Sequence, residues 1–349
     1  MLLTDQNPFN KSLMASVLGV PNAGKSSLIN NLLGFDLSIV SIRPQTTRNR
    51  FHCAFTVDHT EIVLVDTPGL HSSTQEINVR MNEAARECVH GVDLNLLLLD
   101  LSGDLIEQFR TIRKELRAPL SKTWIIFTKS DLVSNWKEMP LTFLVEHLQK
   151  EEANIERYFA VSSHSGDNIH ELTGALCDAA QSGPHLYPRG EVSNKNERFF
   201  ASEYIREQAF KILQEELPYE IAVSIDEFKD QKPRIDEPEL NGPHDFRQKR
   251  NDSRNRNQNQ TQSKLTCYIS ASILVNRPSQ RAIVVGSGGR VIKEIGMKAR
   301  KKIEAMVGGQ VHLNLHVKVA PKWFKNNRIL EELGLPRAQE SKRVWRDQS

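Results

Sequence analysis

Short apolar runs alternate with helical periodicity along the first half of the chain. Residues 13–18, 61–65, 92–101, 124–127 and 158–161 are near-continuous apolar stretches, as expected of strands covered on both faces of a parallel sheet. Between them, residues 26–33 place Leu28, Ile29, Leu32 and Leu33 at helical spacing before Gly34, and 168–180 read as a closing helix. Residues 51–57 add a further strand behind a Pro-containing loop. This order predicts an α/β fold, a doubly wound and mostly parallel sheet with its loops at the carboxyl ends of the strands. The stretch QSGPHLYPRGEVSNKNE is polar with Pro and Gly and reads as a linker. Beyond it, Phe200, Tyr204, Ile205, Ala209, Ile212 and Leu213 repeat at helical intervals over 198–217 until Pro218. Residues 219–228, 265–275 and 311–319 alternate as strands. A helix before the last of them carries Ile292, Ile295, Ala299, Ile303 and Met306 on one face. The second half is therefore a smaller α+β domain. Residues 229–264, which include RQKRNDSRNRNQNQTQSK, hold almost no apolar side chains and predict a disordered insertion within that domain. The expected boundaries are 1–182, a linker at 183–197, 198–320, and a tail at 321–349.

The loop after the first strand carries the chemistry. Gly19-Val20-Pro21-Asn22-Ala23-Gly24-Lys25-Ser26 matches G-x-x-x-x-G-K-[ST], and Ser27 opens the helix that follows. The two glycines let backbone N–H groups converge on phosphate oxygens. Lys25 brings an ammonium to the β- and γ-phosphates, Ser26 a hydroxyl to Mg²⁺, and the helix its positive end. Two threonines, Thr46 and Thr47, sit on the loop 43–50 (RPQTTRNR), where one can complete the metal shell. The strand ending at Asp66 leads into Thr67-Pro68-Gly69-Leu70. Asp66 can hold the Mg²⁺ water shell, and the Gly69 amide can reach a γ-phosphate. Leu70 cannot polarise water, so hydrolysis has to be slow or recruit another group. In Thr128-Lys129-Ser130-Asp131 the carboxylate can accept from guanine N1–H and N2–H₂, whereas adenine would leave it unpaired. The loop opened by Ser162-Ser163 can offer backbone N–H groups to guanine O6, with His164 a loop residue.

Composition adds an asymmetry. The chain carries a net charge of +3, and residues 1–183 hold 16 Lys and Arg against 22 Asp and Glu, residues 184–349 hold 30 against 21. A basic second half suggests a polyanion partner. Its chemistry centres on Gly286-Ser287-Gly288-Gly289, a G-x-x-G loop after the apolar turn Ile283-Val284-Val285 and before a basic amphipathic helix. Such a loop lets a nucleic-acid backbone approach closely, and Arg290, Lys293 and Lys298 can neutralise phosphates. Cys53, Cys88, Cys177 and Cys267 lie far apart and suggest neither a disulfide framework nor a metal site. No apolar run reaches membrane-span length, and MLLTDQNPFNKSL resembles neither a signal nor a transit peptide, so a cytoplasmic protein is expected.

The motifs GVPNAGKSS, RPQTTRNR, VDTPGLH, TKSD and SSHSG resemble the translation-factor-like GTPases, and the Era family most closely. RFFASEYIREQ, ELPYEIAV, VVGSGGRVIKEIG and VHLNLHVKV resemble that family's C-terminal KH domain. The resemblance implies a monomeric GTPase that uses GTP and Mg²⁺, binds the 3′ end of small-subunit (16S) ribosomal RNA and assists 30S subunit assembly. It implies Thr47, with Thr46 the alternative, as the Mg²⁺ ligand of the first switch. Asn22 matches the position at which related GTPases bind an activating K⁺, and those relatives also have an apolar residue where Leu70 stands. Lys25, Asn22, Thr47 and Gly69 are thus the candidate catalytic set. Thr128 departs from the family's Asn-Lys-x-Asp and implies a looser hold on the base; Ser162-Ser163 departs mildly from Ser-Ala. Peripheral membrane contact through the basic tail stays open here. So do two rivals: an RNA-binding module whose nucleotide domain does not turn over, and a GTPase of tRNA modification or another assembly step.

Overall fold

The structure is a computed structural model that describes residues 7–40, 47–71, 76–117, 119–152, 154–230 and 265–335. Thr46, most of the insertion and the end of the tail lie outside them. Strand β1 (Lys11–Gly19) runs between β3 (Thr60–Asp66) and β4 (Leu94–Asp100), parallel to both. Strands β5 (Thr123–Thr128) and β6 (Ile155–Ala160) extend the sheet in parallel, and β2 (Phe51–Val57) closes the other edge antiparallel to β3. The path is β2-β3-β1-β4-β5-β6, with the short β7 (Gln181–Ser182) antiparallel to the start of β1. Helices α1 (Lys25–Leu33), α2 (Glu76–Cys88), α3 (Leu105–Leu116), α4 (Leu141–Glu151) and α5 (Ile169–Ala179) cover it. The continuous apolar run of β4 has a simple cause. Leu96 and Leu98 enter one core with Val17, Leu28 and Leu172, while Leu97 and Leu99 enter the other with Leu18, Phe109 and Phe127.

The second domain opens with α6 (Glu197–Ile212), N-capped by the Asn196 side chain, which accepts from the Phe199 amide. A three-stranded sheet follows: β9 (Leu265–Val275) is antiparallel to β8 (Ala222–Asp230) and parallel to β10 (Gln310–Val319). Between β9 and β10 lie α7 (Pro278–Val285) and α8 (Arg290–Val307); α9 (Asn327–Glu332) ends the described chain. Ile205, Ala209, Ile269, Ile273, Ile295, Ala299 and Ile303 are wholly buried between α6, α8 and the sheet. The two domains share apolar contact where Phe51 packs 5.6 Å from Phe199 and 5.8 Å from Phe200. Among the described residues no helix is long and apolar enough to cross a membrane.

Three expectations need correction. The helix from 198 stops at Ile212, because the chain turns extended at Leu213 and then forms a 3-10 turn, Leu217–Glu220, around Pro218. The apolar turn before G-x-x-G is the helix α7, started by Pro278, with the Gln280 side chain accepting from the Asn276 and Arg277 amides. The segment expected to be disordered from 229 begins as strand, since Lys229 and Asp230 pair with Tyr268 and Cys267; residues 231–264 lie outside the described ones.

Candidate functional site

The phosphate loop is built by crowding at one end and backbone conformation at the other. A Cβ on Gly19 would sit 3.0 Å from the Leu98 carbonyl oxygen and 3.1 Å from the Ala23 Cβ. Gly24 holds φ 84° as the residue before α1, and Asn22 holds φ 63°, a conformation that Asn tolerates better than most. The first turn of α1 has no acidic residue and no side-chain cap, so its N–H groups and positive end face the loop. Lys25 is buried, and its Nζ donates to Val20 O at 2.9 Å and Gly19 O at 3.2 Å. Burial pushes its ammonium down to about 8, with the Asp66 carboxylate pushing back.

Asp66, Ser26 and Thr47 converge from three separate elements. The Ser26 and Thr47 hydroxyls are 3.1 Å apart, and Thr47 Oγ1 donates to Asp66 Oδ2 at 3.5 Å, an oxygen that also accepts from Ser38 Oγ at 3.0 Å. The other carboxylate oxygen, Oδ1, is buried with no hydrogen-bond partner among the described residues. Burial raises the Asp66 carboxyl to about 6, against the Ser38 hydrogen bond and the Lys25 charge. An orphaned carboxylate oxygen beside two hydroxyls, all hard oxygen donors, fits Mg²⁺. The structure thus brings Ser26, Thr47 and Asp66, the residues expected to hold the metal, close together.

The second switch lies directly on the phosphate loop. Thr67 Oγ1 donates to Val17 O at 2.6 Å, so Pro68 and Gly69 follow from an anchored residue. A Cβ on Gly69 would fall 2.8 Å from Pro21 Cα and N, which only glycine allows. The Leu70 amide donates to Gly19 O at 3.1 Å, while its side chain is wholly buried with Leu18, Ala85, Leu97 and Leu99. Leu70 therefore serves the core, in addition to being unable to orient water.

The base loops meet beside α1. Thr128 Oγ1 donates to Ala23 O at 2.9 Å, tying the base loop to the phosphate loop. The shorter side chain expected to loosen this site keeps a link between the two loops. Lys129 stands at φ 59° and its Nζ pairs with Asp100 Oδ2 at 2.5 Å; Ser130 is buried below. The exposed Asp131 carboxylate accepts from Ser162 Oγ at 2.5 Å, and that hydroxyl accepts from the His164 and Ser165 amides at 3.1 Å each. Asn31 Nδ2 donates to Ser163 O at 3.0 Å, which joins the last loop to α1.

In the second domain Gly286, Gly288 and Gly289 hold φ values of 71°, 59° and 76°, so this bend suits glycine at all three. Nothing lies within 4 Å of a Cβ placed on Gly288 or Gly289, whereas one on Gly286 would strike the Val291 side chain at 2.5 Å. Ser287 sits between them, and Arg290 starts α8. Beside the loop is a groove of about 230 Å³ lined by Ile292, Lys293, Gly296, Met297, Arg300, Leu313 and Leu315. Ile292, expected on one face with Ile295, Ala299 and Ile303, lines this groove while those three are buried in the core. Lys298 lies on another face of α8, its Nζ paired with Glu294 Oε1 at 2.7 Å. Arg300 is the groove cation that sequence reasoning missed, and its position two turns along from Lys293 was the available signal.

Two family models match the chain: a 50S ribosome-binding GTPase over residues 14–129 and a KH domain over residues 254–324. The chain is 33% identical over 326 residues to the GTPase Era of Thermotoga maritima, covering 93% of this chain and 97% of that protein. It is 34% identical over 330 residues to the GTPase Era of Erythrobacter litoralis, with 93% and 97% covered. Among solved structures, Era in complex with MgGDPNP and nucleotides 1506–1542 of 16S ribosomal RNA matches with a TM-score of 0.76 at 26% identity, covering 94% of this chain and 100% of that one. A point variant of Aquifex aeolicus Era bound to GDP and AlF4⁻ matches with 0.75, also at 26% identity and with the same coverage. A preformed guanine-nucleotide site, a KH groove and this continuous likeness lead to one conclusion: the chain belongs to the Era family of GTPases.

Proposed function

We propose that this GTPase is a GTP-timed RNA-binding protein that engages the 3′ end of small-subunit ribosomal RNA and assists 30S assembly. One observation carries the reading. An Era structure that covers 94% of this chain was solved with MgGDPNP and with nucleotides 1506–1542 of 16S ribosomal RNA, and this chain carries a phosphate loop and a G-x-x-G groove able to take those two kinds of ligand. The basic G-x-x-G domain disfavours the tRNA-modification rival.

In the proposed cycle, Asp131 selects guanine, and the α1 N-terminus with Lys25 holds the β- and γ-phosphates. Ser26, Thr47 and Asp66 would hold Mg²⁺, which screens the charge that develops on the phosphate oxygens. The Gly69 amide reports whether the γ-phosphate is present; water attacks the γ-phosphorus in line as its bond to the β–γ bridging oxygen breaks, releasing GDP and phosphate. With the Leu70 side chain in the core, a second cation at Asn22 is the proposed aid to hydrolysis, and phosphate release in K⁺ should exceed that in Na⁺. Equal rates in the two salts would remove the K⁺ role. The reading includes a monomer working in the cytoplasm, in contact with RNA along the groove from Gly286 to Arg300.

Ultraviolet crosslinking of the GTP-loaded protein to total small-subunit RNA tests the assignment. Crosslinks should map to the 3′ end and diminish in Gly288→Asp. Crosslinks concentrated elsewhere, or unchanged in that variant, would contradict it.

A further inference from the structure

Residues 47–50 lie in neither helix nor strand, so their position depends on what grips them. Thr47 faces the nucleotide site, 3.1 Å from the Ser26 hydroxyl. The side chain of the next residue reaches into the second domain. Arg48 is only 6% exposed, and its guanidinium donates through Nη1 to Ile221 O at 2.7 Å and through Nη2 to Tyr219 O at 3.0 Å. It lies 5.9 Å from the ring centres of both Phe210 and Trp323. Trp323 Nε1 takes the carbonyl between those two, Glu220 O, at 2.9 Å. Three successive carbonyls of the turn before β8 are thus held by two side chains. The guanidinium reaches two of them from two separate nitrogens, a spacing that the single nitrogen of an ammonium does not reproduce.

The same region also grips α2, the helix that comes after the second switch in the chain. Arg80 on α2 donates to Leu335 O at 2.8 Å and to Asn327 Oδ1 at 2.6 Å, while Ile77 and Met81 bury against Trp323, Leu330 and Leu335. Arg50 pairs with Glu87 on α2 at 3.1 Å, so the first switch segment is also joined to that helix. Successive Cα atoms are only about 3.8 Å apart, so the Arg48 anchor and the Thr47 hydroxyl cannot shift independently.

We propose that Arg48 is a positioning residue for GTP hydrolysis: the KH-domain carbonyls of Tyr219 and Ile221 hold its guanidinium and thereby set the Thr47 hydroxyl at the metal position beside Ser26 and Asp66. The proposal rests on the GTPase assignment and extends it, making the RNA-binding domain part of the support of the nucleotide site. Loss of the grip should cost the triphosphate state and spare the diphosphate state, because GDP has no γ-phosphate whose presence orders the first switch.

The test uses the full chain carrying Arg48→Met, which keeps bulk between the two rings without donors, and Arg48→Lys, which keeps charge without the fork. Calorimetry gives the affinities for GDPNP and GDP in Mg²⁺, and phosphate release gives kcat and KM. In Arg48→Met, GDPNP affinity should fall about tenfold with GDP affinity within about twofold, and kcat should fall by a similar factor at near-unchanged KM. Arg48→Lys should recover part of each loss. Wild-type GDPNP-to-GDP ratios and kcat in both variants would overturn the proposal. So would equal losses for both nucleotides with a lowered Tm in both variants, since that pattern belongs to a purely structural arginine. The binding ratio decides the matter independently of turnover, so failure of the unmodified chain to hydrolyse GTP would strike the GTPase assignment instead.

Discussion

The two binding regions are built on opposite plans. The phosphate and metal end of the nucleotide site is a closed assembly of buried polar groups: Lys25, Ser26, Thr47, Asp66 and Thr67 are each at most 9% exposed, Lys25 is held by carbonyls of its own loop, and each of the other four has a partner from another segment. The groove proposed for RNA is open, with Met297 50% exposed and, beside it, Ile283 57% exposed and three glycines at positive φ. A small, highly charged ligand has to be met by preformed dipoles in a dry pocket, where burying each polar group is costly unless it is paired. A flexible polyanion is met by a surface its backbone can approach, with discrimination from bases stacked or seated in an apolar groove. The first plan makes single side chains decisive, and the second spreads the effect.

If that contrast is right, the largest single change comes at the base. Asp131→Asn should erase the preference for GTP over ATP, by about 10⁴ in relative affinity, since the carboxylate's paired acceptance is lost. Competitive binding of the two nucleotides checks it, and retained selectivity would place the guanine contact elsewhere. Next, Lys25→Ala should lower kcat/KM for GTP by about a thousandfold. A loss of only a few-fold would mean that the loop amides suffice. In the groove, Gly288→Asp should weaken binding of an rRNA 3′-end oligonucleotide by about tenfold through charge and close approach. Gly288→Asn is the control, because Asn accepts the left-handed conformation without the charge. It should lose about threefold, and equal losses in the two variants would assign the effect to backbone strain.

The smallest effect is graded with pH. Asp66 must be ionised to hold Mg²⁺, and its raised carboxyl takes up a proton as pH falls through about 6. Lys25 must be charged to hold phosphate, and its lowered ammonium loses a proton as pH rises through about 8. The kcat/KM of the free enzyme should therefore be bell-shaped, with limbs near those values. A profile flat across and beyond both limbs would show that these two groups do not titrate in the free site.

The same contrast governs how far the sequence can be read. Contacts of the nucleotide site are supplied by residues close in sequence to strand ends, so 19–26, 66–70 and 128–131 are legible from spacing alone. What depends on long-range choice is not. Leu70 is visibly unable to polarise water, but its place in the core depends on Leu18, Leu97 and Leu99 beneath it. Helix α7 reads as an apolar turn in the sequence because it spans only eight residues, of which Val284 alone is buried. On α8 the sequence reading picks out Lys293 and Lys298 and passes over Arg300, and only the packing of Leu313 and Leu315 shows which side is the groove. Arg48 carries no signal at all: its partners lie 171 and 173 residues away and are backbone carbonyls, which leave no mark in side-chain identity.

The central claim is that nucleotide state and RNA binding are coupled through contacts between the domains. Its most direct test is the affinity of the full-length protein for an rRNA 3′-end oligonucleotide when saturated with GDPNP and when saturated with GDP. Binding should be at least about tenfold tighter with GDPNP, with the ratio reduced in Arg48→Met. Equal affinities in the two nucleotide states would contradict it.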